Sequence, residues 1–232
     1  MKTIYIFDFD GVICDSNPET FETSITSFLE IVNRRDFKFK NEKLYNLFLA
    51  NRYRARRPAD FFRLWTSVLE NEIKLSEINL GSDFLKEYEY LFFEVRKLER
   101  NKDINKWLSK HIIYDGIKDF LLSSMPVEQI FIASTKDESS IKRILRYNNI
   151  NLNEENIYGS EVYGDKDEMF NLINSSYENC KFKFLDDNEL NINMAIEYDF
   201  QCYYATWGYG SNKSLDNRHI INLYLDNLSQ FI

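Results

Sequence analysis

The apolar positions change their spacing twice along the chain. Ile4-Tyr5-Ile6-Phe7 is a short, unbroken apolar run rich in β-formers, as expected of a buried parallel strand. It stops at Asp8-Phe9-Asp10-Gly11. From about residue 18 to about residue 110 the apolar residues fall three and four apart instead. Phe21, Ile25, Phe28 and Leu29 do so, then Leu44, Leu47 and Phe48, then Phe61, Leu64, Trp65 and Val68, then Phe84, Leu85, Tyr88 and Phe92. This predicts a helical stretch. The turn formers Asp15-Ser16-Asn17-Pro18 open it, and Gly81-Ser82-Asp83 and Asn101-Lys102-Asp103 punctuate it.

From Tyr114 the short apolar runs return and alternate with helical spacing. Tyr114-Asp115-Gly116 opens a short helix from Ile117 to Ser124. Gln129–Ala133, Phe182–Leu185 and Cys202–Ala205 read as strands, and Ile157–Ser160 as a short strand or loop. Helices fall between them, with Ile141, Ile144 and Leu145 on one, residues 166–174 forming another, and Ile192, Ala195 and Ile196 on a third. A last helix is predicted from about residue 217 to the C-terminus. Strands alternating with helices imply an α/β fold with a doubly wound parallel sheet. The predicted organisation is an α/β core of residues 1–16 and 112–232, interrupted by an all-helical domain of residues 17–111. No internal repeat is evident.

Composition narrows the function classes. A chain of 232 residues can bury a substantial core, and 44% hydrophobic with 28% charged residues is ordinary for a globular protein. The net charge of −8 argues against nucleic-acid affinity and against adsorption on anionic membranes. No apolar run spans a bilayer. Met1-Lys2-Thr3 leads straight into the first strand, so no signal peptide is expected. Cys14, Cys180 and Cys202 lack metal-ligand spacing and fit a reducing, cytoplasmic setting with no disulfide framework. Cys14 reads as a small apolar filler. Three prolines and seven glycines leave few breakers, so helix content should be high.

The chemistry concentrates at the ends of the predicted strands, where open α/β sheets bind their ligands. Asp8 and Asp10 lie two apart and can face one site from an extended chain. Gly11 allows a tight turn and a close approach to a ligand. Two such carboxylates need a counter-ion, and hard oxygen donors favour magnesium. The second strand ends at Ser134-Thr135-Lys136, a later helix begins at Lys166, and the fourth strand ends at Asp186-Asp187.

Aspartate pair, hydroxyl, lysine and acidic pair, in that order, resemble the four motifs of the haloacid dehalogenase-like (HAD) superfamily, most of whose members are phosphatases. The resemblance covers residues 1–16 and 112–210. Asp8–Ser16 forms the first motif and Tyr114-Asp115-Gly116-Ile117 resembles the return from the inserted cap. Thr206-Trp207-Gly208-Tyr209-Gly210 resembles a late loop of phosphoglycolate-phosphatase-like members, and the helical insertion resembles their helical cap. The resemblance implies that Asp8 is a nucleophile forming an aspartyl phosphate, and that Asp10 is the general acid and base. It implies Mg²⁺ held by the Asp8 carboxylate, the Asp10 backbone carbonyl and the fourth-motif acids. It also implies phosphate binding by Gly11, Ser134, Thr135 and Lys166.

The fourth motif departs from the family's pattern of glycine, aspartate and a second acid four residues on. Aligning Ile192 and Ala195 with the family's apolar helix positions makes Asp187 the chief metal ligand and puts Asp186 in the glycine's place. Asn191 then replaces the second acid, as an outer amide and not a ligand. Asp186 and Asp187 remain alternatives at this level. In the insertion, Arg52, Arg54, Arg56 and Arg57 are candidates for reading a substrate's remote anion, or else a solvated basic face. His111, near the expected junction of the two domains, and His219 read as structural.

The expected activity is a magnesium-dependent phosphatase acting on a small phosphorylated metabolite. Its rivals are a phosphomutase of the same fold and a weakly catalytic phosphometabolite-binding regulator. The substrate and the oligomeric state are not legible.

Overall fold

The computed structural model describes residues 1–34, 42–70, 82–177, 179–210 and 214–232. They divide into two compact units, Met1–Asp15 with Ile112–Ile232, and Ser16–His111.

The first unit is built on a six-stranded parallel sheet. Its strands are β1 (Thr3–Phe7), β4 (Ile130–Ser134), β5 (Ile157–Gly159), β6 (Lys181–Asp186), β7 (Gln201–Ala205) and β8 (Ile220–Leu223), in the order β5-β4-β1-β6-β7-β8. A separate two-stranded ribbon pairs β2 (Cys14–Asp15) with β3 (Ile112–Ile113). The helices of this unit are α6 (Ile117–Ser123), α7 (Glu138–Tyr147), α8 (Ser160–Tyr163), α9 (Lys166–Ser176) and α10 (Glu189–Glu197).

Side-chain alternation along β1 shows why the sheet needs cover on both faces. Ile4 and Ile6 join a buried cluster with Phe131, Phe184, Met169, Phe170, Ile173, Ile192 and Ala195, so α9 and α10 pack on that face. Tyr5 and Phe7 point the other way, to Phe231 at ring distances of 5.7 and 5.0 Å, and Phe7 also meets Phe120 of α6. A strand apolar from Ile4 to Phe7 without a break is what burial on both faces demands. This is the α/β parallel-sheet architecture expected from sequence.

The chain's end is a correction. Residues from 217 onward do not form one helix. Ile220–Leu223 adds a sixth strand, parallel to β7 with Cys202 opposite Ile220, and a 3-10 segment follows at Leu225–Phe231. The apolar residues Ile220, Leu223 and Leu228 fall at spacings that a helix would also satisfy. Asn222 settles the local geometry by closing a loop, its side chain bonding both N and O of Leu215 at 2.8 and 2.9 Å.

The second unit is helical: α1 (Asn17–Ile31), α2 (Glu42–Asn51), α3 (Pro58–Val68), α4 (Ser82–Lys102) and α5 (Ile104–Leu108). Ser16 stands at the N-cap position of α1, with Pro18 in its first turn; Asp103 caps α5 by accepting from Lys106 N. Gly81 of the expected Gly81-Ser82-Asp83 break lies outside the described residues. The core of this unit is aromatic. Phe21, Phe28, Phe48, Phe61, Phe62, Trp65, Tyr88 and Phe92 are all buried in one cluster. Its polar atoms are satisfied within it: Trp65 Nε1 donates to Ser24 Oγ at 3.0 Å, and Tyr88 Oη to Ser24 O at 2.9 Å. A charged set is also enclosed. Arg96 grips Glu19 through two bonds of 2.9 and 3.1 Å, Thr23 donates to the same carboxylate, and His111 Nε2 lies 3.9 Å from it.

Candidate active site

Parallel pairing brings the strand ends together. In the β1–β6 register Phe7 faces Leu185, so Asp8 and Asp186 are the next residues on neighbouring strands. Asp8 N donates to Leu185 O at 2.9 Å, which carries the pairing one residue further. In the β1–β4 register Phe7 faces Ile132, which sets Ser134 just beyond the end of β1.

Lys166, the first residue of α9, lies among these acids. Its Nζ is 2.8 Å from Asp8 Oδ1 and 2.5 Å from Asp186 Oδ2. All three side chains are buried. Asp165 caps α9 by accepting from Asp167 N and Glu168 N, which fixes the first turn from which Lys166 reaches inward. Burial presses Lys166 toward the neutral amine, but Asp186 and Asp8 outweigh it and hold its pKa above the usual range. Burial likewise pushes the Asp8 carboxyl up to about 6, with Lys166 pulling it down and Asp186 pushing it up.

The two acids of the Asp186-Asp187 pair have different surroundings. Asp186 Oδ2 accepts from Lys166 and, at 3.0 Å, from Asn191 Nδ2, while its Oδ1 accepts from Asn188 N at 2.7 Å. Asp187 turns instead toward Gly11 and the loop after β7, and Tyr209 N donates to its Oδ2. Gly11 has a φ of +93°, a left-handed backbone that favours glycine. A Cβ at Gly11 would fall on the Asp187 carboxylate, and one at Gly208 would overlap the Asp187 side chain. The acid is therefore seated in a cradle that only glycines leave open. The loop is tied down in turn: Trp207 Nε1 donates to Val12 O at 3.1 Å, and Tyr209 Oη to Asp15 Oδ1 at 3.2 Å.

Carboxylate oxygens of Asp8, Asp186 and Asp187 lie within 4.8 Å of one another. Three buried carboxylates against one lysine leave negative charge, and oxygen donors at this spacing fit a hard divalent cation. The donor set therefore suits the Mg²⁺ expected from sequence.

Ser134 is almost fully buried, and its Oγ accepts from Lys136 N at 3.3 Å. Asp137, not Ser134, caps α7, accepting from Ser140 N at 2.9 Å. Thr135 is half-buried, and its carbonyl accepts from Ser160 Oγ at 2.7 Å. Asp10 is half-buried beside Lys136, whose Nζ lies 3.3 Å from its Oδ2. Sequence reasoning had no role for Lys136; its only signal was its place right after Ser134-Thr135.

The four arginines lie in the helical unit and are held in different ways. Arg52 bonds Ala55 O and stacks over Phe61 with its guanidinium 5.0 Å from the ring centre. Arg54 donates to Asn51 Oδ1 at 3.2 Å. The backbone N–H groups of Arg56 and Arg57 both donate to Asp60 Oδ2 at 3.0 Å, which fixes the start of α3. The side chains of Arg54, Arg56 and Arg57 are exposed.

No family model matches the chain, and no curated protein does. Solved structures do, end to end. A haloacid dehalogenase-like hydrolase from Streptococcus pneumoniae shares 17% identity at a TM-score of 0.63, over 99% of this chain and 98% of its own. A predicted phosphatase from Clostridium acetobutylicum shares 21% at 0.61, over 99% and 97%. A predicted phosphoglycolate phosphatase from Haemophilus somnus shares 16% at 0.65, over 99% and 97%. Identities this low speak to architecture, and on that point they agree with the sheet order and the helical insertion: the chain has the fold of the haloacid dehalogenase-like hydrolases.

Proposed function

We propose that this protein is a Mg²⁺-dependent phosphatase that hydrolyses a small phosphorylated metabolite through a phosphorylated aspartate. The observation that carries this reading is the placement of Lys166 Nζ between Asp8 and Asp186, with Asp187 closing the acidic cluster.

Asp8 is the nucleophile. It stands at the end of a central strand, and Lys166 holds its Oδ1. Its carboxylate oxygen bonds to phosphorus as the bond from phosphorus to the leaving oxygen breaks. Asp10 gives the leaving oxygen its proton, then takes one from the water that cleaves the aspartyl phosphate, which returns Asp8 and frees phosphate. Lys166 and the Ser134 hydroxyl offset charge on the transferring group, and the backbone at Thr135 adds a donor beside it. Gly11, whose N–H is given to Cys14 O at 2.9 Å, contributes room for the phosphate's close approach. Asp8, the Asp10 carbonyl and Asp187 would hold the cation, while Asp186 serves chiefly to hold Lys166. The bound cation would lower the repulsion between Asp8 and the phosphate dianion. The exposed guanidinium groups of Arg54, Arg56 and Arg57, with Arg52 beside them, suit selection among anionic substrates.

Among the described residues no helix is long and apolar enough to cross a membrane. That and the negative charge support a reading in which the partner is a small molecule and neither a membrane nor a nucleic acid. We place its work in the cytoplasm, on the cysteine usage.

The test is phosphate release from a panel of sugar phosphates, nucleotides and phosphoglycolate, with Mg²⁺ or with chelator. Release that needs Mg²⁺ and is lost in Asp8→Asn supports the reading. Release that survives Asp8→Asn overturns it, and so does its absence from every substrate.

A further inference from the structure

Lys136 is the one lysine besides Lys166 among the described residues that is buried to this degree, at 2% exposure overall and 0% for its side chain. Lysine is seldom buried so fully, because its ammonium group loses water that only an anion or several acceptors replace. Here the anion is Asp10, with Nζ 3.3 Å from Oδ2. The same residue's backbone N–H donates to Ser134 Oγ, also at 3.3 Å. One residue thus touches two of the groups assigned to the chemistry.

The segment that carries it is fixed from three directions. Ser160 Oγ donates to Thr135 O at 2.7 Å. Asp137 caps α7 through Ser140 N at 2.9 Å. Gly159, the last residue of β5, lies so close that a Cβ there would come within 2.9 Å of Lys136 O and 3.0 Å of Glu138 Cα. A side chain at position 159 would therefore push the loop, and Lys136 with it, away from the sheet. An ordinary surface lysine would need none of this support. A lysine buried only for stability would be a poor choice, since an apolar residue of similar volume is often as stabilising as a buried ion pair.

We propose that Lys136 is a positioning residue for Asp10: it holds Oδ2 and so fixes the direction in which Oδ1 meets the leaving oxygen. The proposal rests on the phosphatase reading above and adds to it a residue that sets the aim of the proton donor. The step served is proton transfer from the Asp10 carboxyl to the departing oxygen as its bond to phosphorus breaks and the bond from Asp8 to phosphorus forms. Asp10 is left as a carboxylate and the product leaves as an alcohol.

The experiment compares two substrates whose leaving groups differ in their need for that proton. p-Nitrophenolate departs without it, whereas a simple alkyl alcohol such as glycerol, from glycerol phosphate, does not. Lys136→Met keeps the aliphatic stem and removes the charge. Its kcat/KM, which reports phosphorylation of Asp8 and not the later hydrolysis that Asp10 serves on both substrates, should fall about 10²- to 10⁴-fold on the alkyl phosphate, the range typical of lost general-acid catalysis. On p-nitrophenyl phosphate it should fall less than about tenfold. Lys136→Arg should recover part of the loss, and Lys136→Met should add nothing on the alkyl substrate once Asp10→Asn is present. Lys136→Gln serves in the same comparison if Lys136→Met does not fold by circular dichroism. Equal losses on both substrates, or no loss on either, overturn the assignment. Failure of the parent reading looks different: wild-type protein then releases phosphate from neither compound, and both inferences fall together.

Discussion

Asp186 Oδ2 lies 2.5 Å from Lys166 Nζ, and both side chains are almost wholly out of water. Loss of the Asp186 carboxylate leaves Lys166 with the Asp8 carboxylate but strips Asn188 N and Asn191 Nδ2 of their acceptor, at a cost of about 1–3 kcal/mol. Asp186→Ala should therefore lower unfolding stability in urea by that order. Asp186→Asn, which keeps hydrogen-bonding atoms, should lower it less. Calorimetric titration with Mg²⁺ should separate the two neighbours. Asp187→Asn should lose most of the metal affinity, whereas Asp186→Asn should keep it within about tenfold, the scale of an outer-sphere effect.

Asp8 sets a pH dependence whose sign follows from its raised pKa. Burial holds the folded-state carboxyl at about 6, above its ordinary value of 3.8. Between these values the folded protein binds more protons than the unfolded chain, so stability falls as pH rises through that window. Above it the penalty is complete; below it the penalty is gone. Metal-free Asp8→Asn should thus be more stable than wild type at pH 7.5, by on the order of 1–3 kcal/mol. The difference should vanish below about pH 4. Added Mg²⁺ should reverse the order at neutral pH by stabilising more strongly the protein that keeps the Asp8 carboxylate. Urea melts at pH 4 and 7.5, with chelator and with Mg²⁺, read all three effects.

Gly208 gives a purely steric test. Its backbone is not left-handed, yet an added Cβ would overlap the side chain of Asp187. Gly208→Ala should displace that carboxylate and weaken Mg²⁺ binding by about 10- to 100-fold. The fold itself should persist, because the displaced group lies at a strand end and not among the packed side chains of the sheet. Circular dichroism and calorimetric Mg²⁺ titration check the two halves of this expectation.

In the helical unit, Glu19 and Arg96 form a buried pair between α1 and α4. Arg96→Met alone should cost about 3–5 kcal/mol, since it takes the guanidinium from a carboxylate that stays charged and enclosed. The double replacement Glu19→Gln with Arg96→Met should cost less than the sum of the single ones. A double-mutant cycle by urea denaturation measures the coupling.

What could be read from the sequence was whatever local pattern determines. β1, β4 and β7 hold short apolar runs, β6 sets Phe182 and Phe184 either side of Lys183 before ending at its acids, and helical spacing in residues 18–110 leaves little choice of element. The residues that escaped notice depend on distant parts of the chain. Lys136 looks like any solvated lysine after a strand until Asp10, 126 residues away, is brought beside it. The difference between Asp186 and Asp187 follows from Lys166 on one side and the glycine cradle on the other, neither of which is a neighbour in sequence. β8 was misread because four residues of an edge strand carry too few positions to tell a period of two from one of 3.6.

The β2–β3 ribbon has a further consequence. Cys14 lies opposite Ile113 and Asp15 opposite Ile112, so the chain departs and comes back on adjacent antiparallel positions, about 5 Å apart. Such a junction works as a socket. Any cassette whose two ends meet at that spacing can be plugged in there, and because closure entropy grows only slowly with length, its size hardly matters. Evolution, or an engineer, can therefore exchange what is carried between residues 16 and 111 while the six-stranded sheet keeps its register.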